Sequence, residues 1–258
     1  MSVSDLLEPL TGNSGPVTLT AADDWMQGRT LYGGASALIA YTEAIRAFPD
    51  LPPLRSAQVA FIAPVGESFE PRVEMVRSGR NVTQVRSELL VEGKPALSVL
   101  LVFGTEREPN AVFPAPKVDP WPGSPEEAEP VPEPKGRHFI SNYEIRRAQD
   151  TSGPGFPLVR RWFRLKTDPG LDAVSHLILV GDTLPPGSMR AMQRQGPLSS
   201  INWTINILDP QVQTRDGWWL AETASDHADH GYSSERLRLW NADGDLVMVG
   251  MQAAAIFG

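Results

Sequence analysis

REPNAVFPAPKVDPWPGSPEEAEPVPEPKGR, Arg107 to Arg137, holds nine of the chain's 24 prolines and no periodic apolar pattern. Proline fixes φ and cannot donate to a ladder, so this density suits neither a helix interior nor a sheet. The stretch reads as an extended linker draped between two halves, with Phe113 and Trp121 expected to pin it to the body. The implied division is a first unit over 1–107, a linker over 108–137 and a second unit over 138–258.

The sequence on either side of the linker repeats one pattern. Upstream, GGASALIAYTEAIRAF (33–48) sets Ala35, Leu38, Ile39, Thr42, Ile45 and Phe48 along one helical stripe, and Pro49 stops it. SAQVAFIAPV, PRVEMVRSG, NVTQVRSELLVEG and KPALSVLLVFG follow as strand-like runs. Downstream, Asp168-Pro169 suits an N-cap and first helical position, opening LDAVSHLILVGDTL, which Pro185 and Pro186 end. SSINWTINILDP, WWLAETASD, YSSERLRLWNADG and DLVMVGMQAAAIF then read as strands. Each half is a helix followed by four strands, with a glycine turn before the last strand at Gly93 and at Gly244. A helix must bury its apolar stripe, and a curved antiparallel sheet wrapped around it gives one core per unit. Two such units, packed sheet to sheet, would form a pseudo-dimer.

Composition narrows the class. With 41% hydrophobic and 21% charged residues, the 258-residue chain is globular. A net charge of −8 without a Lys/Arg cluster argues against nucleic acid as a partner. Two or three arginines would still suffice for a ligand carrying phosphates. The absence of cysteine removes disulfides, thiolate nucleophiles and Cys-ligated metals, and is compatible with a reducing cytoplasm. MSVSDLLEPL lacks the basic region and apolar run of a signal peptide, and no run approaches membrane-spanning length. A soluble cytoplasmic protein is expected.

The strand LSSINWTINILDP (198–210) has an unusual wet face. Ile201, Trp203, Ile205 and Ile207 alternate with Ser200, Asn202, Thr204 and Asn206, a row of hydroxyls and amides without a charge. Gln252 lies among Met251, Ala253, Ala254 and Ala255, so its amide is expected to face inward and to need partners. Asp226-His227-Ala228-Asp229-His230 offers four potential ligands in five residues, yet it joins two strands and no further cluster accompanies it. It is read as a solvated hairpin, and no metal is expected. A G-x-S-x-G elbow is missing, since Gly34-Ala35-Ser36-Ala37 continues to Leu38, and there is no phosphate-binding glycine loop.

GRTLYGGASALIA (28–40), WFRLKTDPGLDAVSHLILVGD (162–182), SSINWTINILDP and DLVMVGMQAAAI carry a resemblance in their order and spacing. The chain resembles the TesB-like (type II) acyl-CoA thioesterases, which have a double hot-dog fold of class α+β: two tandem units, each an antiparallel sheet wrapped around a central helix. The resemblance covers most of 15–107 and 138–258. It implies a catalytic set of an Asp late in the second helix, a hydroxyl opening the next strand and a Gln in the last strand. Carried over residue by residue, these fall on Asp182, Ser200 and Gln252. The family has Thr or Ser at the hydroxyl position; Ser200 stands where its bacterial members have Thr, keeping the hydroxyl, and Asn202 stands where they have Asp.

Thioester hydrolysis needs a positioned water, a proton acceptor and donors for the developing oxyanion. Burial could raise Asp182 toward neutrality and fit it for that acceptor role. Gly33 and Gly34, at a helix N-terminus, could offer backbone N–H groups to a carbonyl. GSMRAMQRQGP (187–197), with Arg190, Met192 and Arg194, could contact substrate as a flexible cover over an acyl tunnel, or be an ordinary loop. The expected substrate is acyl-CoA, with no cofactor beyond the coenzyme A it carries, and a homodimer is the expected assembly. The alternative is a non-catalytic acyl-CoA or lipid-binding hot dog. A hydratase on the same fold would need a His paired with a carboxylate, and none of the four histidines has that context.

Overall fold

Both halves form their helix and four strands as the apolar periodicities require. The computed structural model describes residues 2–11, 15–136, 138–149, 155–167, 170–194 and 196–257. The first half contains α1 (Val3–Leu7), β1 (Val17–Thr18), β2 (Met26–Gln27), β3 (Thr30–Leu31), α2 (Gly33–Ala47), β4 (Leu54–Phe61), β5 (Ser68–Ser78), β6 (Val82–Val91) and β7 (Lys94–Gly104). The second contains β8 (Tyr143–Arg147), β9 (Leu158–Leu165), α3 (Ala173–Gly181), β10 (Leu198–Ile207), β11 (Trp219–Asp229), β12 (Tyr232–Asn241) and β13 (Leu246–Ile256). Gly93 and Gly244 take positive φ in the turns before the last strands, where a side chain would be strained.

The two units do not stack sheet to sheet. They join edge to edge into one antiparallel sheet, ordered β1-β5-β6-β7-β4-β10-β13-β12-β11-β9-β8. The four strands nearest the joint on each side mirror one another about the central pair, in which Ser56–Ala60 of β4 run against Asn202–Asn206 of β10, and β1 extends one side while β9 and β8 extend the other. β4 and β10 are each the open edge of a four-stranded set, and pairing them satisfies both rows of backbone groups. α2 packs on β5, β6 and β7, α3 packs on β11 and β12, and the two helices pack on each other. Tyr41 and Glu43, off the predicted stripe of α2, are therefore buried as well. One continuous apolar core runs through both halves.

α3 is shorter than its sequence pattern suggests. The Asp168-Pro169 pair lies outside the described residues, and the N-cap is Asp172, which accepts the Ser175 N–H at 3.0 Å. The helix stops at Gly181, because Asp182 leaves helical geometry (φ −108°, ψ 18°) and Thr183 turns its N–H and hydroxyl back onto Val180 O.

The proline-rich stretch partly covers the second half. Glu129 and Val131 exchange backbone hydrogen bonds with Arg147 and Ile145 of β8. Val118 and Ala128 join an apolar cluster of Trp162, Trp218, Leu220 and Trp240, apart from the main core. Trp121 meets Trp162 edge-on at 5.5 Å, as its pinning role requires. Phe113 is 91% exposed and so pins nothing among the described residues.

β10 departs from simple alternation at one residue. Trp203 pairs with Gln252 and Asn202 with Ala253, but Ser200 pairs with Ala254, leaving Ile201 as an extra residue in a β-bulge. Ile201 is consequently 40% exposed and drops out of the apolar row expected with Trp203, Ile205 and Ile207. Ser200 is turned to the face shared by Trp203 and Gln252, whereas Asn202 keeps the other face and accepts the Ala253 N–H at 3.0 Å. The bulge splits the uncharged row. Trp203 itself is fully buried at the junction, beside Val59 of β4 and Gln252 of β13. Because the sheet and core are continuous there, urea unfolding monitored by circular dichroism is expected to show one transition. Trp203→Ala should lower its free energy by about 3–5 kcal/mol; two resolved transitions would show that the halves are independent.

Candidate active site

The C-terminal end of α3 lies against the start of α2, and this meeting of the two halves builds the site. Asp182, the residue that ends α3, directs its carboxylate at the first turn of α2, where the Gly34 N–H donates to it. Gln252 approaches from β13, with Nε2 3.1 Å from Asp182 Oδ1 and 2.8 Å from Ser200 Oγ. Both hydrogens of the amide are thereby used, one on each partner. The reversed amide would set Oε1 against the carboxylate, so an ionised Asp182 favours the orientation seen. Asp182, Ser200 and Gln252, drawn from a helix end and two strands, form one hydrogen-bonded set.

The surroundings govern the charge of Asp182. Burial is the main influence and pushes its pKa up to about 7, against the lowering effects of the Gln252 amide and the Gly34 N–H. Phe61, at the end of β4, contributes an apolar wall: a Cβ added to Gly33 would lie 2.8 Å from its Cζ. Tyr32 and Tyr143 add a second buried layer, their hydroxyls 3.0 Å apart, with Tyr143 also donating to Leu179 O at 3.4 Å. Burial raises both phenols, and the Asp182 charge adds to the effect, so both remain protonated donors.

The glycine pair permits the contact. A Cβ on Gly33 would collide with Asp182 Oδ2, and one on Gly34 would collide with the Tyr32 hydroxyl and Leu179 O. The Gly34 N–H, expected to face a substrate carbonyl, acts here on the Asp182 carboxylate, whose pKa it lowers.

Arg190, Met192 and Arg194 belong to the segment between α3 and β10. Arg190 donates Nη1 to Leu158 O at 3.4 Å, Met192 is half-buried and Arg194 is exposed. The first part of this segment is tethered, which corrects the picture of a flexible cover. Fully buried Glu235 accepts the Gly187 N–H at 2.8 Å and the Ser188 N–H at 3.4 Å, and Thr223 donates to Pro185 O at 2.7 Å. Tyr32, Phe61, Tyr143 and Glu235 are the site neighbours that sequence reasoning missed. Only Tyr32, beside the Gly-Gly pair, carried a positional signal. The acidic-histidine stretch forms an exposed hairpin end, with Asp226 on Arg236, and no cluster of three or more metal-ligating side chains occurs among the described residues.

Gly33→Ala is expected to displace Asp182 and lower turnover by about tenfold or more, with far-ultraviolet circular dichroism unchanged. Turnover retained in a folded Gly33→Ala protein would show that the close approach is dispensable.

Two family models match the chain, an acyl-CoA thioesterase N-terminal domain over residues 21–104 and an acyl-CoA thioesterase C-terminal domain over residues 125–256. No curated protein matches. Among solved structures, a hot-dog protein of unknown function from Alicyclobacillus acidocaldarius superposes with a TM-score of 0.86 at 20% identity, covering 100% of this chain and 98% of its own. A tesB protein from Mycobacterium avium subspecies paratuberculosis gives 0.79 at 17% identity and 100% of both chains. An acyl-CoA thioesterase II from Mycobacterium marinum gives 0.75 at 18% identity, covering 98% and 97%. These likenesses establish a double hot-dog fold, and no described helix is long and apolar enough to cross a membrane. With the C-terminal model spanning more than half its residues, the chain belongs to the acyl-CoA thioesterase family and is a thioester hydrolase.

Proposed function

We propose that the protein hydrolyses acyl-CoA to a free acid and coenzyme A by direct attack of water, without a covalent acyl-enzyme. The observation that carries this reading is a carboxylate poised near neutrality, bracketed by a neutral amide and a hydroxyl. Asp182 takes a proton from water as the water oxygen bonds to the thioester carbon. The tetrahedral oxyanion then collapses, the carbon–sulfur bond breaks, and Asp182 returns its proton to the leaving thiolate. Ser200 orients the water. Gln252, its two hydrogens committed, is a positioning residue that holds Asp182 and Ser200 in register. With Gly34 engaged by Asp182, the Gly33 N–H is the remaining backbone donor of the pair for the oxyanion.

We further take the working unit to be a cytoplasmic homodimer acting in lipid metabolism. Exposed Ile62, Ile201, Met251 and Phe257 support an apolar contact surface. Sedimentation should then give twice the chain mass of 28.2 kDa; a monomer at working concentration would reject the dimer.

Free-thiol release from acyl-CoA tests the chemistry. Asp182→Asn and Gln252→Ala should each lower turnover at least about tenfold, a barrier increase of about 1.4 kcal/mol, in folded protein. Wild-type rates in both would reject the assignment. As the base must be ionised, kcat/KM should rise with pH through about 7 and then level. The Gln252 hydrogen bond lowers the Asp182 pKa, so Gln252→Ala should move this rise to higher pH. Stability carries the opposite sign. The folded-state pKa lies above the ordinary 3.8, so ionisation penalises the fold as pH increases from about 4 to 7. Asp182→Asn should gain stability over wild type at pH 8 relative to pH 4, and an equal difference at both pH values would contradict the burial.

A further inference from the structure

Two phenols are buried together where the halves meet. Tyr32 is the N-cap of α2 and Tyr143 opens β8, so one comes from each half. Their rings sit in an aromatic cage. Phe139 stacks on Tyr32 at 4.1 Å, Trp25 lies 6.2 Å from each ring, and Phe163 meets Tyr143 edge-on at 6.0 Å. The cage holds the rings with or without oxygen, whereas a buried hydroxyl must find partners. The hydrogens of the pair run one way. Each phenol has a single hydrogen, and Tyr143 directs its own to Leu179 O at 3.4 Å. Tyr32 is therefore the donor in the 3.0 Å contact between the hydroxyls. Leu179 O is among the last carbonyls of α3, which lack partners along the helix. In a longer helix it would accept the Thr183 N–H, but that group turns to Val180 O, and the Tyr143 hydroxyl stands in its place.

Both ends of this line act on Asp182. At the α3 end, a helix C-terminus disfavours a carboxylate, and the hydroxyl on Leu179 O quenches one of the carbonyls responsible. At the α2 end, a Cβ on Gly34 would collide with the Tyr32 hydroxyl and with Leu179 O, so both atoms close on the residue whose N–H donates to Asp182. The two effects favour the ionised acid, against the rings, which bury it. Both phenols in turn sense the Asp182 charge. Other charged groups on the elements packed here have partners elsewhere. Glu43 is paired with Arg46, Arg55 with Gly104 O, Glu144 with Arg146 and Arg164, and Arg147 with Glu129. His176 lies against Trp219, and Glu235, beyond Gln252, accepts the Gly187 and Ser188 N–H groups.

We propose that Tyr32 and Tyr143 are positioning residues of the hydrolysis. Their hydroxyls form a one-way line, Tyr32 to Tyr143 to Leu179 O, that holds the end of α3 against the start of α2 and keeps the Asp182 carboxylate ready to take a proton. Neither phenol touches the substrate; each works through Asp182. The role in hydrolysis rests on the reading of Asp182 as the base above.

The test follows Asp182 in two ways, by carbon NMR of its carboxyl group and by the pH profile of kcat/KM for an acyl-CoA. Tyr143→Phe should move both the titration and the rise in kcat/KM upward by at least about half a pH unit. Tyr32→Phe should move them in the same direction by less. With the base harder to ionise, kcat/KM of Tyr143→Phe should be about threefold below wild type at pH 6 and equal to it at pH 9. Trp25→Phe disturbs the cage without removing a phenol oxygen, so it should lower the melting temperature and leave the titration in place. A Tyr143→Phe titration that is unmoved or moves down would overturn the proposal. So would an equal loss at both pH values, or an equal upward shift in Trp25→Phe. If Tyr143→Phe does not fold, Tyr32→Phe, which leaves the Leu179 bond intact, decides by the direction of its shift. Should wild type cleave no acyl-CoA, the hydrolytic reading fails, while the NMR titrations of the variants still decide how the phenols act on Asp182.

Discussion

The rest of the structure depends on a carboxylate at the end of one helix meeting the bare backbone at the start of another. Asp182 belongs to the second half and Gly33-Gly34 to the first, so the contact exists only when both are docked. The electrostatics are mixed by construction. A helix C-terminus disfavours negative charge and a helix N-terminus favours it. Burial behind Phe61 and beside the Tyr32–Tyr143 pair then tips the balance toward the neutral acid. A carboxylate held between these influences exchanges a proton near neutral pH, as a base that must take a proton and give it back requires.

Edge-to-edge joining of the sheets serves the same end. Continuity from β4 into β10 fixes Phe61, Trp203 and Ser200 relative to one another, and β13 adds Gln252 beside them. The bulge at Ile201 turns Ser200 inward without disturbing the strand beyond it, and Asn202 replaces the disrupted backbone pairing with its own side chain. Asn202 therefore has a structural role where an acidic residue was expected from the resemblance. Thr204 and Asn206 face Gln58 and Ser56 across the joint between the halves. The uncharged row is one turned hydroxyl followed by the lining of a strand junction.

Much of this was legible in the sequence because apolar periodicity and proline placement are local signals. The helix and four strands of each half, their order and the turns at Gly93 and Gly244 all appear there. Asp182, Ser200 and Gln252 were reachable through the resemblance, since no local rule singles out an Asp before Leu-Pro-Pro. The bulge was invisible, because Ser200 to Ile207 alternates without interruption and only pairing with β13 reveals the extra residue. The edge-to-edge joint was equally hidden, as nothing in β4 or β10 alone marks an edge that another half will cover. Tyr32, Tyr143 and Phe61 read as ordinary core aromatics until α2 and α3 meet. Phe113 misled for the converse reason, a large apolar side chain that stays exposed.

The most direct test of this account is the titration of Asp182 itself, followed by carbon NMR of aspartate labelled at its carboxyl carbon and assigned with Asp182→Asn. The meeting of α3 with α2 predicts a carboxyl group that titrates near 7, far from the ordinary aspartate value of 3.8. A titration near 4, like that of an exposed aspartate, would contradict it.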